Sequence, residues 1–574
     1  MIKLTIDGLP VEVEEGATLL EAATKLDIHI PTLCYHPDQN VKANCRICLV
    51  EMEGNKLLVP SCSYPAQNGM SIRTHSPKVR RARRNILELI LARHAQDCLH
   101  CDRSGTCELQ SVSEEMHFVK IPRYPYVARS AESDHSSPSV ARDSAKCITC
   151  GRCEYVCSEV QTVHALSRTG RGFEMQFRPV YNRPLGESIC VNCGQCVQAC
   201  PTGALTVRDE TQVVWHTFAD PGKTVVAQVA PAVRITLAEA LGEPPGSIST
   251  GRMITAMKRV GFHKVFDTDF TADLTILEEG TELIDRINNG GILPMLTSCC
   301  PAWIKFCETF YPELLPHLST CKSPQQMFGA LLKTYYAEKL GILPQDILSV
   351  SVMPCTAKKF EETRPELGRN GIRDIDAVLS VQELARMIRS AGIRFDTLPD
   401  TPFDAPFGLG TGAGEIFGST GGVMEAALRT VYELVTGKAL RNIDIKAVRG
   451  LEGIKEASAD MNGTHVKVAV TNGLGNARKI MDLVKAGKTD YHFIEIMACP
   501  GGCIGGGGNP IKENAMMTSR LDAVYRLDKE LPIRKSHENP AVKALYEEYL
   551  GEPNGHRSHA LLHTTYINRS GLLE

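Results

Sequence analysis

Apolar and polar residues alternate through the opening stretch MIKLTIDGLPVEVEEG. That period of two predicts a strand, a tight Asp7-Gly8 turn and a second strand. A helix is expected near Thr18–Leu26, with Thr18 placed to cap it. Over Arg84–His94 (RNILELILARH) the period becomes helical, and an amphipathic helix is expected. Residues 126–144 (YVARSAESDHSSPSVARDS) are polar and serine-rich and read as a linker. From about Val213 the pattern changes again. Apolar, β-rich runs stand at 224–231, 290–298, 347–354, 374–380, 466–472 and 491–497, several leading into helical patterns. Alternation of that kind predicts α/β units around a buried parallel sheet.

A chain of 574 residues is too long for one core and suggests about three to four domains. Hydrophobic residues make up 43% and charged residues 22%, ordinary for a globular protein, and a net charge of −3 gives no pointer to nucleic acid. The one dense basic run, Lys78–Arg84 (KVRRARR), reads either as the solvated start of a helix or as a docking patch for an acidic electron carrier. No apolar stretch reaches the ~18 residues of a membrane span. The first residues carry neither a signal-peptide apolar region nor a twin-arginine signal. The expected location is therefore the cytoplasm, without membrane contact. Thiols stay reduced there, so patterned cysteines point to metal or catalysis.

The 22 cysteines change the picture most. Cys34, Cys45, Cys48 and Cys62 follow the spacing C-x10-C-x2-C-x13-C, with Cys45-Arg-Ile-Cys48 a tight turn offering two thiolates to one site. A [2Fe–2S] centre is expected; four thiolates would also suit zinc. Next come His94, Cys98, Cys101 and Cys107. Three cysteines leave a cubane one ligand short, and His94, one helical turn before Cys98, can supply it; His100, inside the motif, competes. Two runs follow, Cys147, Cys150, Cys153, Cys157 and Cys190, Cys193, Cys196, Cys200-Pro201. This is the bacterial two-cluster ferredoxin repeat, in which the fourth cysteine of each run serves the other cluster. One [4Fe–4S] would take Cys147, Cys150, Cys153 and Cys200, and the other Cys190, Cys193, Cys196 and Cys157. The first run ends Cys157-Ser158 rather than Cys-Pro, which leaves the ligands intact.

Three of the later apolar runs end in cysteine: Met295-Leu-Thr-Ser-Cys299-Cys300-Pro301-Ala-Trp303, Met353-Pro354-Cys355-Thr-Ala-Lys358-Lys-Phe-Glu361, and Glu495-Ile-Met497-Ala-Cys499-Pro-Gly-Gly-Cys503 with a glycine run behind it. Ligands bind beyond the carboxyl ends of strands in open α/β sheets. The three segments are thus expected to converge on one buried four-thiolate site, with glycines allowing close backbone approach to a bulky cofactor. Cys299 is expected to point away from Cys300, since neighbours in extended chain face opposite ways. Glu279, Glu282 and Arg286 stand at i, i+3, i+7 and would share one helix face. Cys307 and Cys321 read as buried, inert thiols.

The motifs TSCCPxW, MPCxxKxxE and ExMACxxGCxxGGG, with the cluster motifs before them in the same order, closely resemble those of iron-only ([FeFe]) hydrogenases. The first two cluster segments also resemble the large electron-transfer subunit of respiratory NADH dehydrogenases. The resemblance covers essentially the whole chain. It implies a multidomain α/β and α+β protein: a β-grasp [2Fe–2S] domain (1–78), a His/Cys3 cluster domain (79–125), a two-cluster bacterial ferredoxin domain (126–209) and an α/β H-cluster domain with a short helical tail (210–574). It implies one [2Fe–2S] centre, three accessory [4Fe–4S] clusters and an H-cluster, a [4Fe–4S] cubane joined through a shared cysteine to a diiron unit with CO, cyanide and dithiolate ligands. Cys300, Cys355, Cys499 and Cys503 would hold the cubane, and Cys503 would bridge to the diiron unit. Cys299 would pass protons to that unit, served from solvent by Arg286, Glu282, Ser319 and Glu279. Lys358 would bond a cyanide. Pro231, Pro324, Gln325, Met353, Phe417 and Met497 would line the diiron pocket. Many relatives carry serine after the Ala230-Pro231 pair, where this chain has Ala232, so one cyanide hydrogen bond is in doubt.

The activity so implied is 2H⁺ + 2e⁻ ⇌ H₂, with H₂ and protons as substrates and maturation proteins needed for the cofactor. An iron–sulfur assembly factor is a second reading, but such homologues lack the full TSCCPxW and relay set. A hydrogen sensor would need a signalling domain, and a plain electron carrier leaves residues beyond 209 unexplained. The electron partner is either ferredoxin alone or an assembly with an NAD(P)-binding flavoprotein and a small [2Fe–2S] subunit. The segment CDRSGTCELQ (101–110) resembles the complex-forming subunits. Gly408-Leu-Gly410-Thr-Gly412 is too weak to mark a dinucleotide site.

Overall fold

Leu4, Ile6, Val11 and Val13 alternate inward along the strands Ile2–Ile6 and Leu9–Val13, which pair antiparallel around the Asp7-Gly8 turn. In the computed structural model, which describes residues 1–117, 123–127, 133–511 and 514–573, this hairpin begins the first of two folded units. That unit comprises residues 1–159, 164–188 and 199–206; the second comprises 160–163, 189–198 and 207–574.

In the first unit the hairpin belongs to a five-stranded sheet with Leu49–Met52, Val59–Pro60 and Ser71–Arg73. Helix Leu19–Thr24 lies against it, held at its start by a capping box between Thr18 and Glu21. The amphipathic helix begins earlier than the apolar pattern suggested, at Pro77 behind an Ser76 cap, and ends at Leu91. Lys78–Arg84 therefore forms its first two turns. Lys78, Arg80, Arg81 and Arg84 are exposed, while Arg83 is buried and donates two bonds to the Leu49 carbonyl. Arg152 ties the cluster segments together, with a bidentate pair to Glu108 at 2.6 and 2.8 Å and a bond to the Tyr35 carbonyl. A paired, buried guanidinium of this kind fixes geometry more than it adds stability.

The expected linker at 126–144 lies in part outside the described residues, at 128–132. Its second half is not a linker. Asp134 and Arg142 exchange backbone bonds, and Ser137 and Ser139 are fully buried. Ser137 Oγ accepts from the Ser139 and Val140 amides, so these serines build a tight turn rather than a solvated spacer.

The second unit holds two four-stranded sheets, where the apolar runs had suggested one. The first is wholly parallel, in the order Lys264–Asp267, Thr224–Val229, Ile347–Met353, Ala377–Ser380. The other runs Met295–Leu296, Phe493–Met497, Thr464–Asn472, Ile454–Met461, parallel except for the last, antiparallel edge strand. Against the second sheet pack the long helix Thr268–Asn288 and the helix Gly422–Thr436, whose buried Ile276, Leu283, Val423 and Val431 share a core with Met295, Val468 and Phe493. Full burial of such a side chain contributes about 1.5–3 kcal/mol. The tail beyond Pro510 is more than an appendage. Arg520 is fully buried, paired with Glu239 and bonded to the Ile504 carbonyl, and Asp528 forms a buried pair with Arg429. No helix among the described residues is long and apolar enough to cross a membrane.

Candidate active site

The carboxyl ends of strands from both sheets open onto one cavity of about 80 Å³. After Val229 come Ala230, Pro231 and Ala232; after Met353 come Pro354 and Cys355; after Leu296 come Cys299 and Cys300; and Met497 closes the strand Phe493–Met497. Cys503, Pro324, Gln325, Lys358 and Phe417 complete the wall with Thr268, Ala272, Pro301 and Gly418. All six residues expected to line the diiron pocket are here. Lys358 is the one charged lining residue among those described.

Each motif builds its piece for a physical reason. In TSCCPxW, Pro301 opens helix Pro301–Phe310 at the position that needs no amide hydrogen, and Cys300 stands at its cap. Trp303 is fully buried and its indole N–H donates to the Thr297 carbonyl at 3.0 Å, fixing the segment that carries both cysteines. Both residues line the cavity, in chain that follows the strand Met295–Leu296. Their surroundings separate them. Cys300 Sγ accepts from the Ala498 amide at 3.4 Å, whereas Cys299 is the thiol whose electrostatic neighbours include Glu279. Burial, then the charges of Glu279 and Cys300, hold the Cys299 thiol well above its ordinary pKa.

In MPCxxKxxE, Lys358 donates to the Cys299 carbonyl at 3.1 Å and to Glu361 at 3.0 Å. Burial works against its charge, but Glu361 and the Cys355 thiolate outweigh it and raise its pKa. Glu361 also accepts from Ser323 Oγ at 2.9 Å and Gln325 Nε2 at 3.0 Å, so one buried carboxylate sets three groups around the cavity. In the third motif Glu495 accepts from the Gly421 and Met424 amides, both at 2.7 Å, at the start of helix Gly422–Thr436. Neither glutamate drew notice as an organiser from the sequence; a fixed offset from a ligand cysteine was the available signal.

The donor set fits a cubane with a second metal unit. Cys300, Cys355, Cys499 and Cys503 are near enough that each of the last two raises the Cys355 thiol, after burial. Burial pushes Cys503 up to about 12 in the absence of metal. Gln325 Oε1 and the cavity's apolar wall leave room for a group that the side chains do not fill. The loop behind the cysteines needs its glycines: a Cβ on Gly502 would meet the Thr420 amide nitrogen at 2.5 Å, and one on Gly506 the Pro354 carbonyl at 2.2 Å.

Away from the cavity, Glu279 on the long helix is buried, and neither carboxylate oxygen has a hydrogen-bond partner among the described residues. Burial and the charge of Glu282 lift its pKa to about 8. Ser319 Oγ donates to Glu282 Oε2 at 2.9 Å, and Arg286 Nη2 donates to Glu282 Oε1 at 2.6 Å. The solvated face that these charges could have formed is thus excluded at Glu279. A carboxyl whose folded pKa lies above its unfolded value binds extra protons in the folded state, so stability falls as pH rises from about 4.5 toward 8. Glu279→Gln is expected to flatten that fall. Calorimetry from pH 5 to 8 should show the wild-type Tm dropping relative to the variant.

The accessory ligands also group. Cys34, Cys48 and Cys62 are buried, and the Cys45 amide donates to Cys34 Sγ at 3.4 Å. His94 is buried behind the end of helix Pro77–Leu91, while His100 is exposed and bonded to Asp97 at 2.8 Å. Cys147, Cys150, Cys153 and Cys200 line a single cavity of the first unit. Cys190, Cys193 and Cys196 belong to the second unit, beside the catalytic cavity. Thr356 Oγ1 donates to the Asn192 carbonyl, Gln195 Nε2 to Gly505 and Gln198 Nε2 to Gly507 and Asn509. Burial, then the Cys499 and Cys196 charges, raise the Cys193 thiol. Gly194 and Gly507 touch backbone to backbone, and a Cβ on Gly507 would meet Gly194 Cα at 2.7 Å. The second cysteine run and the catalytic loop are thus locked together. Cys307 is buried and bonded to the Tyr311 carbonyl at 3.7 Å; Cys321, also buried, has Sγ 3.8 Å from Glu282 Oε2.

Comparison with known proteins gives the same class. Residues 223–507 match the model of the iron only hydrogenase large subunit, C-terminal domain, and 514–569 that of the iron hydrogenase small subunit. Residues 1–77 match a 2Fe-2S iron-sulfur cluster binding domain, 83–121 the NADH-ubiquinone oxidoreductase-G iron-sulfur binding region, and 146–204 a 4Fe-4S dicluster domain. The chain is 48% identical over 585 residues to the NADP-reducing hydrogenase subunit HndD of Solidesulfovibrio fructosivorans, covering 100% of both chains. It is 40% identical over 574 residues to iron hydrogenase 1 of Clostridium pasteurianum, covering 99% of this chain and 100% of that one. An apo variant of the [FeFe]-hydrogenase HydA1 from Chlamydomonas reinhardtii superposes with a TM-score of 0.58 at 44% identity, over 63% of this chain and 99% of that one. The chain belongs to the iron-only ([FeFe]) hydrogenase family. It is an enzyme of that class, with accessory iron–sulfur domains attached.

Proposed function

We propose that the chain catalyses 2H⁺ + 2e⁻ ⇌ H₂ at the cavity and relays the electrons through accessory clusters to a partner. The observation that carries this is one apolar cavity that gathers cysteines from both sheets, with Cys299 on its wall and Glu279 buried behind it. Cys300, Cys355, Cys499 and Cys503 would hold the cubane, and Cys503 would also serve the diiron unit. When bound, that cofactor supplies the metal and base at which H₂ is split or formed.

The protein's own part is position, dryness and a proton route. Met353, Met497, Phe417, Pro231 and Pro324 keep water from the cavity, and Lys358 presents its ammonium to the cyanide region. Gln325 is steered by Glu361. Ala232 offers no hydroxyl to this wall of the cavity. Protons move between Cys299 and solvent through Glu279, Ser319 and Glu282, with Arg286 at the outer end. The cysteines already named would hold one [2Fe–2S] and three [4Fe–4S] clusters able to carry electrons, with His94 as the fourth ligand of its cluster and Cys157 assigned by the two-cluster repeat to that of Cys190, Cys193 and Cys196. The domain limits follow these sites: 1–78, 79–125, 126–209 and 210–574.

The chain works in the cytoplasm as the catalytic subunit of an NAD(P)-linked assembly, taking ferredoxin or a flavoprotein with a small [2Fe–2S] subunit as partner. Support comes from the full-length match to a subunit named as NADP-reducing and from the NADH-ubiquinone oxidoreductase-like segment at 83–121. Purification from native extract is expected to bring a flavoprotein down with the chain at fixed stoichiometry. A stable monomer that reduces ferredoxin with no flavoprotein attached would contradict the assembly.

A further inference from the structure

An arginine makes a poor last station for a proton. Its guanidinium stays protonated across the physiological range and has no acceptor atom. Arg286 can orient Glu282, but Glu282 needs another neighbour that can both give and take a proton. Its Oε2 accepts from Ser319 Oγ at 2.9 Å, from the Thr320 amide at 3.1 Å and from Thr320 Oγ1 at 3.3 Å. Thr320 Oγ1 in turn lies 2.7 Å from Nδ1 of His563. His563 is buried, and its ring stacks on His559, with centroids 4.3 Å apart and 16° between planes. His559 is exposed. On the far side, His563 Nε2 is 3.2 Å from Glu278 Oε2; Glu278 is fully buried and also accepts from the Tyr546 hydroxyl at 2.5 Å and the Asn554 amide at 2.8 Å. That bond leaves Nδ1 as the atom aimed at Thr320.

We propose that Thr320, His563 and His559 form the solvent end of the proton route, joined to the catalytic relay at Glu282. The proposal rests on the hydrogen chemistry assigned above to the cavity. In the inward direction the His563 imidazolium gives its Nδ1 proton to Thr320 Oγ1 while the threonine hydroxyl proton passes to Glu282 Oε2. Neutral imidazole and neutral carboxyl remain, and the proton lost from Nδ1 is replaced from solvent, for which exposed His559, stacked on the buried ring, marks the approach. H₂ oxidation runs the same transfers outward. The titratable groups facing His563 are Glu278 and Glu282 of the long helix, Cys321, His559 and Tyr546, with Arg286 paired to Glu282 from the other side. Arg286 becomes a positioning residue. The tail that read as a helical appendage supplies two stations, and both lie in the stretch 514–569.

His563→Gln tests this in the full chain with all clusters loaded. Glutamine keeps a donor and an acceptor but does not titrate. The infrared CO and cyanide bands and the Tm are expected to stay at wild-type values, while H₂ evolution at pH 7 falls about 10-fold or more. Thr320→Val is expected to do the same, and added imidazole to restore part of the rate in His563→Ala. Wild-type rates in His563→Gln would overturn the proposal, including the case in which only His563→Ala is impaired, since that would mark a packing role. A loaded wild type without any turnover would refute the hydrogen chemistry itself, a separate outcome read before either variant.

Discussion

Cys299→Ser is expected to lower H₂ evolution and oxidation by about 10²–10⁴-fold, the span that positioned proton donors contribute. A hundredfold loss corresponds to about 2.7 kcal/mol of barrier. The infrared CO and cyanide bands should be unchanged, because the Cys299 carbonyl, which takes the Lys358 bond, survives the substitution. Cys299 lines the cavity, and Glu279 is among the groups that act on its thiol. A serine hydroxyl holds its proton far more tightly than a thiol, so the relay is broken where it meets the cavity. Unchanged turnover would remove Cys299 from the route. Loss of the infrared bands would make it a ligand instead.

Cys503→Ala should have the larger effect. Cys503 follows Gly502, whose φ of 88° sets the turn, and it opens the short helical turn Cys503–Gly505 under the cavity. Asn509 Nδ2 holds the Cys503 and Ile504 carbonyls at 2.9 and 3.0 Å, so the loop itself remains braced. The accessory clusters, held by other cysteines, should persist and be visible by electron paramagnetic resonance. The CO and cyanide bands should be absent and turnover undetectable. Retention of those bands would show that the diiron unit is held by something other than Cys503.

Much of this was legible in the sequence because cluster ligands are close in sequence and their spacing is chemical. The Cys147–Cys157 and Cys190–Cys200 runs carry their meaning within residues 147–200. The single parallel sheet expected from the apolar runs became two, because strand order depends on pairings far along the chain. Met295 pairs with Phe493, a partner that no local pattern names. The edge strand Ile454–Met461 escaped notice since its outward positions are polar. The serine-rich stretch before Cys147 looked like a linker by composition, yet Ser137 and Ser139 are buried and the Ser137 hydroxyl closes a turn. The proton route was legible only in part. Glu279 and Glu282 share a helix face by spacing, but His563 reaches Glu278 across 285 positions, through a tail whose sequence suggested nothing but helix.

The central claim is that this chain makes and consumes H₂ at the cavity between its two sheets. The most direct test is H₂ evolution from a reduced dye by the full chain after cluster reconstitution and insertion of the diiron cofactor, with loading verified from the infrared bands. Steady H₂ production, inhibited by added CO, is the expected result. Fully loaded protein that gives no H₂ and takes up none would contradict the account.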